Sequence, residues 1–188
     1  MKTSSLVFCG LCAAITCILA PIAIPMPGGV PVSLATFSVM LAGCLLGPKW
    51  GTISQAVYVL LGAVGLPVFS GYRGGFQVIA GMTGGYIVAY ILLAFLCGLL
   101  YFRFGKKLQG AARIACLVVS MIIGTAALYA FGTAWFIRVT GMDLAGALGA
   151  CVIPFLPGDA LKIAAVAILC PTLERALSAQ LAQLRTAG

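Results

Sequence analysis

Only three acidic residues occur in the 188-residue chain, and one of them, Asp159, stands three positions before Lys162 in "PGDALK" (157–162). At that spacing an acid and a base project from one face of a helix. A carboxylate accepts hydrogen bonds and an ammonium donates them, so the pair could hold a small molecule that carries both N–H groups and a carbonyl. Two plainer readings compete: Lys162 snorkels toward water, or the two charges only neutralise each other. Arg73 is the one charge in the glycine-rich stretch "GLPVFSGYRGGFQVIAGMTGGY" (65–86), directly before Gly74 and Gly75. Its planar fork suits the carboxylate of a small anionic ligand, and a solvated loop arginine is an equal reading. Ser33 and Thr36 share a face near the start of an apolar run and could add hydroxyls, although such hydroxyls also bond back to helix carbonyls. Tyr86, directly after the glycine-rich stretch, could wall a pocket or anchor at a membrane interface.

These are recognition groups rather than catalytic ones. The chain has no histidine, which removes most catalytic-metal, haem and triad chemistry. The other acids, Asp143 and Glu174, fall on opposite membrane sides in the topology derived below, so they cannot form a catalytic pair. Most of the eight cysteines lie inside apolar runs, where Cys packs as a small hydrophobe. "CGLC" (9–12) fits C-x-x-C but has no second pair and no βαβ context, which argues against zinc or redox chemistry. Neither a metal site, a resident cofactor nor an enzyme activity is expected.

The elements that must position these residues are membrane helices. Hydrophobic residues make up 63% of the chain and charged ones 7%, and the mean hydropathy is +1.19. A soluble domain would carry about 25% charged residues. The composition predicts one polytopic α-helical membrane domain over residues 1–188. Apolar runs bounded by Gly, Pro and charge give six spans, at 4–22, 32–47, 51–66, 85–102, 114–137 and 157–174. The second and third are short, about 24 Å each at the helical rise, so they are expected to sit inside a bundle or to border a cavity.

The net charge of +8 does not point to nucleic acid, because the basic residues cluster at the ends of apolar runs. With the N-terminus inside, Lys2, Lys49, Arg103, Lys106, Lys107, Arg113, Arg175 and Arg185 are cytoplasmic, Arg73 and Arg138 are external, and Lys162 is embedded. That bias supports six spans with both termini cytoplasmic, against a cleaved signal peptide at the start. The loop 65–86, with seven glycines, is then external and long enough to approach a ligand or act as a lid. The segment 142–156 is apolar but too short to span, and reads as an interfacial or re-entrant piece packed on the bundle. Pro157 suits the first turn of helix six, which places Asp159 at the positive end of the helix dipole.

Three stretches carry a family resemblance: "VPVSLATFSVMLAGCLLGPKWG" (30–51), "GLPVFSGYRGGFQVIAGMTGGY" (65–86) and "VIPFLPGDALK" (152–162). Together they resemble BioY, the biotin-specific substrate-binding component of energy-coupling-factor (ECF) vitamin transporters, over about residues 10–165. The resemblance implies a multi-pass protein of the bacterial cell membrane, whose six helices form an outward cavity capped by the loop between helices three and four. It also implies that Asp159 and Lys162 contact the ligand. Biotin's ureido ring has two N–H donors and a carbonyl, its thioether ring needs an apolar wall, and its valerate tail needs a cation or N–H groups. The chain departs from many members in having Ala35 in place of Gln and Arg73 in place of Asn or Gly, and from some in having Ile87 in place of Arg. The tail's partner is then either Arg73 or water and backbone N–H groups.

Such components dock on a transmembrane coupling protein that works with two ATPases. Gly10 and Ala14 on helix one form a small-xxx-small pair that allows close helix approach. No "GxxxxGK[ST]" occurs, so any ATP-driven step belongs to those partners. Two other readings stay open: the same fold with another vitamin or cofactor precursor as cargo, and a membrane assembly protein in which Asp159 and Lys162 only clamp helices.

Overall fold

The computed structural model describes residues 3–26 and 29–178. Lys2 and Arg185, two of the charges assigned to the cytoplasmic face, lie outside the described residues. The chain is mostly helical, as long apolar runs must be where the backbone has no water to bond and satisfies itself internally. Helix α1 (Thr3–Leu19) leads through a two-stranded ribbon, β1 (Ala23–Ile24) and β2 (Val32–Ser33), into α2 (Ala35–Ala63). The ribbon is antiparallel and pairs Ala23 with Ser33 and Ile24 with Val32. Then follow α3 (Phe76–Ala80), α4 (Gly84–Arg103), α5 (Gly110–Thr140), α6 (Leu144–Cys151) and α7 (Leu156–Ala176).

Helix α2 is two helices joined at a break. Gly47 has φ 84° and ψ 179°, a conformation that suits glycine, and Pro48 follows it. Proline denies the preceding residue the helical region and has no N–H to continue the ladder. The chain turns back on itself there. A Cβ on Gly51 would lie 2.8 Å from the Cα of Gly43, whereas eight residues of straight helix span about 12 Å. The apolar runs read from the sequence at 32–47 and 51–66 are thus the two arms of one hairpin, 35–46 and 48–63. The hairpin packs closely on α4, where a Cβ on Gly43 would meet the carbonyl oxygen of Ala94 at 2.5 Å.

Among the described residues, three stretches are long and apolar enough to cross a membrane: Gly84–Lys107, Gly110–Thr140 and Leu144–Ala176. The third joins α6 to α7 through a 3₁₀ turn at Ile153–Phe155, so the segment 142–156 forms a short helix leading into α7. The apolar stretch of α1, Ser5–Leu19, is shorter. The core lies between α2, α4 and α5, around fully buried Met40, Tyr58, Leu93, Leu117 and Met121. Large apolar side chains such as Val7, Leu60, Ile122, Leu161 and Ile168 face outward, a surface suited to lipid rather than water. The starts of α2, α4 and α7 and the later turns of α5 meet at one end of the bundle, through contacts among Thr36, Asp159, Lys162, Tyr86, Tyr129 and Thr133.

Candidate functional site

Helix α7 opens with proline in its first positions and Asp159 in its first turn. Lys162 lies one turn on, and its Nζ is 2.9 Å from Asp159 Oδ1. Both are buried, at 4% and 9% exposure. Thr36, in the first turn of α2, completes a triangle. Its hydroxyl donates to Asp159 Oδ1 at 3.1 Å and accepts from Lys162 Nζ at 2.9 Å. The second carboxylate oxygen, Oδ2, accepts from the hydroxyl of Tyr129 on α5. Three helices therefore converge on one ionic group, and the bundle is held around it.

The pair borders a cavity of about 40 Å³, walled on its apolar side by Val30, Pro31, Leu128 and Phe155. A second cavity of about 30 Å³ adjoins it and shares Val30, Pro31, Tyr86 and Tyr90. Ser33 and Thr36 line the first cavity, and the Ser33 hydroxyl also accepts from the N–H of Ala35 at 3.2 Å, which steadies the entry to α2. Tyr86 lines both cavities, with its hydroxyl 2.9 Å from that of Thr133. Asp159, Lys162, Ser33, Thr36 and Tyr86 are thus brought together.

Arg73 reaches the second cavity from outside, on an exposed hairpin. Phe69 and Arg73 pair through backbone hydrogen bonds of 2.9 and 3.3 Å, with Gly71 and Tyr72 left-handed at the tip. Phe69 pins this hairpin to the bundle: it is 1% exposed and packs edge-on against Tyr58, ring centres 5.7 Å apart. The Arg73 Nε donates to the carbonyl of Ser70 at 3.2 Å. Among the described residues Arg73 makes no salt bridge. Gly74 borders an outer vestibule beside Arg73. Its lack of a side chain is required by the chain itself, since a Cβ would lie 2.2 Å from the carbonyl oxygen of Leu66. Gly75 stands apart from both cavities and donates its N–H to Gly62 at 2.7 Å. Gly10 and Ala14 line neither cavity and are exposed on α1, where a Cβ on Gly10 would meet nothing within 4 Å.

Sequence reasoning missed Tyr90 and Tyr129. Tyr90 follows Tyr86 at i+4, a spacing that puts both on one helix face and could have flagged it. Tyr129 sits in the apolar run "TAALYAFGTAWF" (125–136) with no local signal that it meets α7. At the opposite end of α7, Glu174 also proves to be a junction. It accepts from Lys106, Arg113 and, at 3.1 Å, the Tyr101 hydroxyl. Two of the charges read as simple cytoplasmic anchors are therefore tied to a buried carboxylate.

A family model described as the BioY family matches residues 1–179. The chain belongs to the BioY family. It is 36% identical over 170 residues to a protein of Thermotoga maritima named biotin transporter BioY, covering 90% of this chain and 95% of that one. It is equally 36% identical over 174 residues to a probable biotin transporter BioY of Pyrococcus horikoshii, covering 93% and 98%. Among solved structures, one described as the S-component for biotin from an ECF-type ABC transporter superposes with a TM-score of 0.81 at 28% identity, over 93% of this chain and 95% of that one. A second, the S component of a bacterial ECF transporter, has a TM-score of 0.64 at 21% identity and shares the fold, over 96% of this chain and 99% of that one.

Proposed function

We propose that this chain is the biotin-binding S component of an ECF-type transporter and takes up biotin across the cell membrane. The observation that carries the reading is the buried acid–base pair, 2.9 Å apart, at the edge of an apolar-walled cavity. In a cyclic urea each edge sets an N–H beside the carbonyl. Asp159 and Lys162 set an acceptor beside a donor, which is the complement of that edge. Val30, Pro31 and Phe155 offer the wall for the thioether ring. The adjoining cavity leads past Tyr86 toward Arg73, the cation for the valerate carboxylate, while Ser33 and Thr36 line the first cavity and Gly74 and Gly75 shape the loop.

One membrane-embedded domain with six crossings follows if α1, both arms of α2, α4, α5 and α7 each traverse the bilayer. Both termini are then cytoplasmic, and the Arg73 loop is external. Arg103, Lys107 and Arg175 fall on the inner face in this orientation, as positive charge should. The exposed Gly10 and Ala14 on α1 suit close packing against a coupling-protein helix, and partner ATPases supply the energy. The reading requires no resident cofactor and no catalysis by this chain.

Equilibrium binding of labelled biotin to the detergent-purified protein tests it. Saturable binding displaced by desthiobiotin, which keeps the ureido ring, and not by vitamins without an N–H/carbonyl edge is expected. Absence of biotin binding, or equal displacement by such vitamins, would contradict the reading.

A further inference from the structure

Asp159 borders two spaces of opposite character. One is the cavity it shares with Lys162; the other is a groove between α5 and α7, lined by apolar residues such as Val118, Ile122 and Ile163 and open to the side of the bundle. Asp159 and Tyr129 line both, and the Tyr129 hydroxyl bonds Asp159 Oδ2 at that boundary. Without that bond, Oδ2 would face hydrocarbon with no donor, which is costly for a charged oxygen. The carboxylate's remaining choice is to turn both oxygens onto Lys162. An acid so engaged neutralises its neighbour and has little left for a ligand.

The bonds present leave a defined remainder. A carboxylate has about four acceptor positions and an ammonium three donors. Asp159 Oδ1 accepts from Thr36 and Lys162, and Oδ2 accepts from Tyr129. Lys162 donates to Asp159 and Thr36. One acceptor position on Oδ2 and one proton on Lys162 remain, which is the complement of a single N–H/carbonyl edge. We propose that Tyr129 is a positioning residue that sets this remainder. By holding Oδ2 away from Lys162 it keeps one acceptor position of Asp159 directed at the ligand and so sets selectivity for a ring N–H. The inference rests on the biotin-binding reading above.

The test measures the affinity of purified wild-type and Tyr129→Phe proteins for biotin and for biotin methylated on each ureido nitrogen in turn. A hydrogen bond to a charged group corresponds to about a tenfold change or more. Tyr129→Phe is expected to bind biotin about tenfold more weakly. Binding of the isomer whose methyl blocks the Asp159 contact should change little, so the discrimination between that isomer and biotin shrinks. Wild-type affinity for biotin in the Phe protein, or an equal loss for biotin and both methylated forms, would overturn the assignment while leaving biotin binding itself intact. Failure of the wild-type protein to bind biotin would instead remove the functional reading and this inference with it. A structure of the wild-type protein with biotin bound gives a check that no variant can confound. The Tyr129 hydroxyl should stay within hydrogen-bond reach of Asp159, and its departure from the carboxylate would also overturn the assignment.

Discussion

Helix α7 carries a buried carboxylate at each end, and each receives a tyrosine hydroxyl from a neighbouring helix: Asp159 from Tyr129 and Glu174 from Tyr101. Their surroundings then diverge. Glu174 has a cation on each oxygen, Lys106 and Arg113, brought from the turn after α4 and from α5. Arg113 also donates to the Tyr101 hydroxyl at 2.9 Å, and Lys106 lies 4.8 Å from the Tyr101 and Phe102 ring centres. Glu174 accepts three hydrogen bonds, as Asp159 does, but two of them come from cations on other elements, and it borders neither cavity of the site. Asp159 has one cation from its own helix, a shared threonine, and a cavity at its side. An ion cluster with two cations and no cavity fastens helices, while one with a single cation beside a cavity can bind. The same helix carries one of each.

Substitutions can break this contrast from either end. The largest effect on binding outside Asp159 itself is expected from Lys162→Met, which removes the carbonyl donor and leaves a buried carboxylate without its cation. Biotin affinity should fall about 100-fold, in line with the loss of one partner of a buried charge pair. Glu174→Gln should act on stability instead. Breaking a fully buried pair costs about 3–5 kcal/mol, and about 2 kcal/mol is expected here because Arg113 and Lys106 reach solvent. Thermal unfolding in detergent would show this, with biotin affinity unchanged within about twofold on the same principle that distant sites act independently. An affinity loss matching that of Lys162→Met would erase the contrast. The smallest effect belongs to Arg73→Ala. An exposed cation contributes about 0.2–1 kcal/mol, so a loss of no more than about fivefold is expected for biotin and none for an analogue with an uncharged tail. Equal losses for both ligands would remove Arg73 from the carboxylate.

The residues legible in the sequence were those fixed by local rules. Asp159 and Lys162 share a face because three residues separate them on a helix, and Pro157 marks where that helix starts. The long apolar runs at 85–102 and 114–137 correspond to α4 and α5 within a few residues at each end. The short runs before them were legible as two antiparallel helices turning at Lys49, and Gly47–Pro48 marked the break, but their close packing on α4 was not legible. Tyr129 and the partners of Glu174 were not legible, because they meet α7 only after α4, the turn that follows it and α5 have packed together. Thr36 was half legible: its position near the start of α2 could be read, but its bonds to both members of the charge pair come from tertiary packing. Gly74 was read as a place for ligand approach, yet the loop's own backbone occupies the space beside it.

The central claim is that the Asp159 end of α7 binds and the Glu174 end holds. Calorimetric titration of biotin into wild-type, Asp159→Asn and Glu174→Gln proteins, side by side, addresses it most directly. Asn keeps the shape of Asp159 but places an N–H₂ group or a neutral oxygen where an ionised acceptor should meet the ring, so binding should weaken by more than about 100-fold. The Glu174→Gln protein should bind as the wild type does. Retained affinity in Asp159→Asn, or a loss confined to Glu174→Gln, would contradict the account.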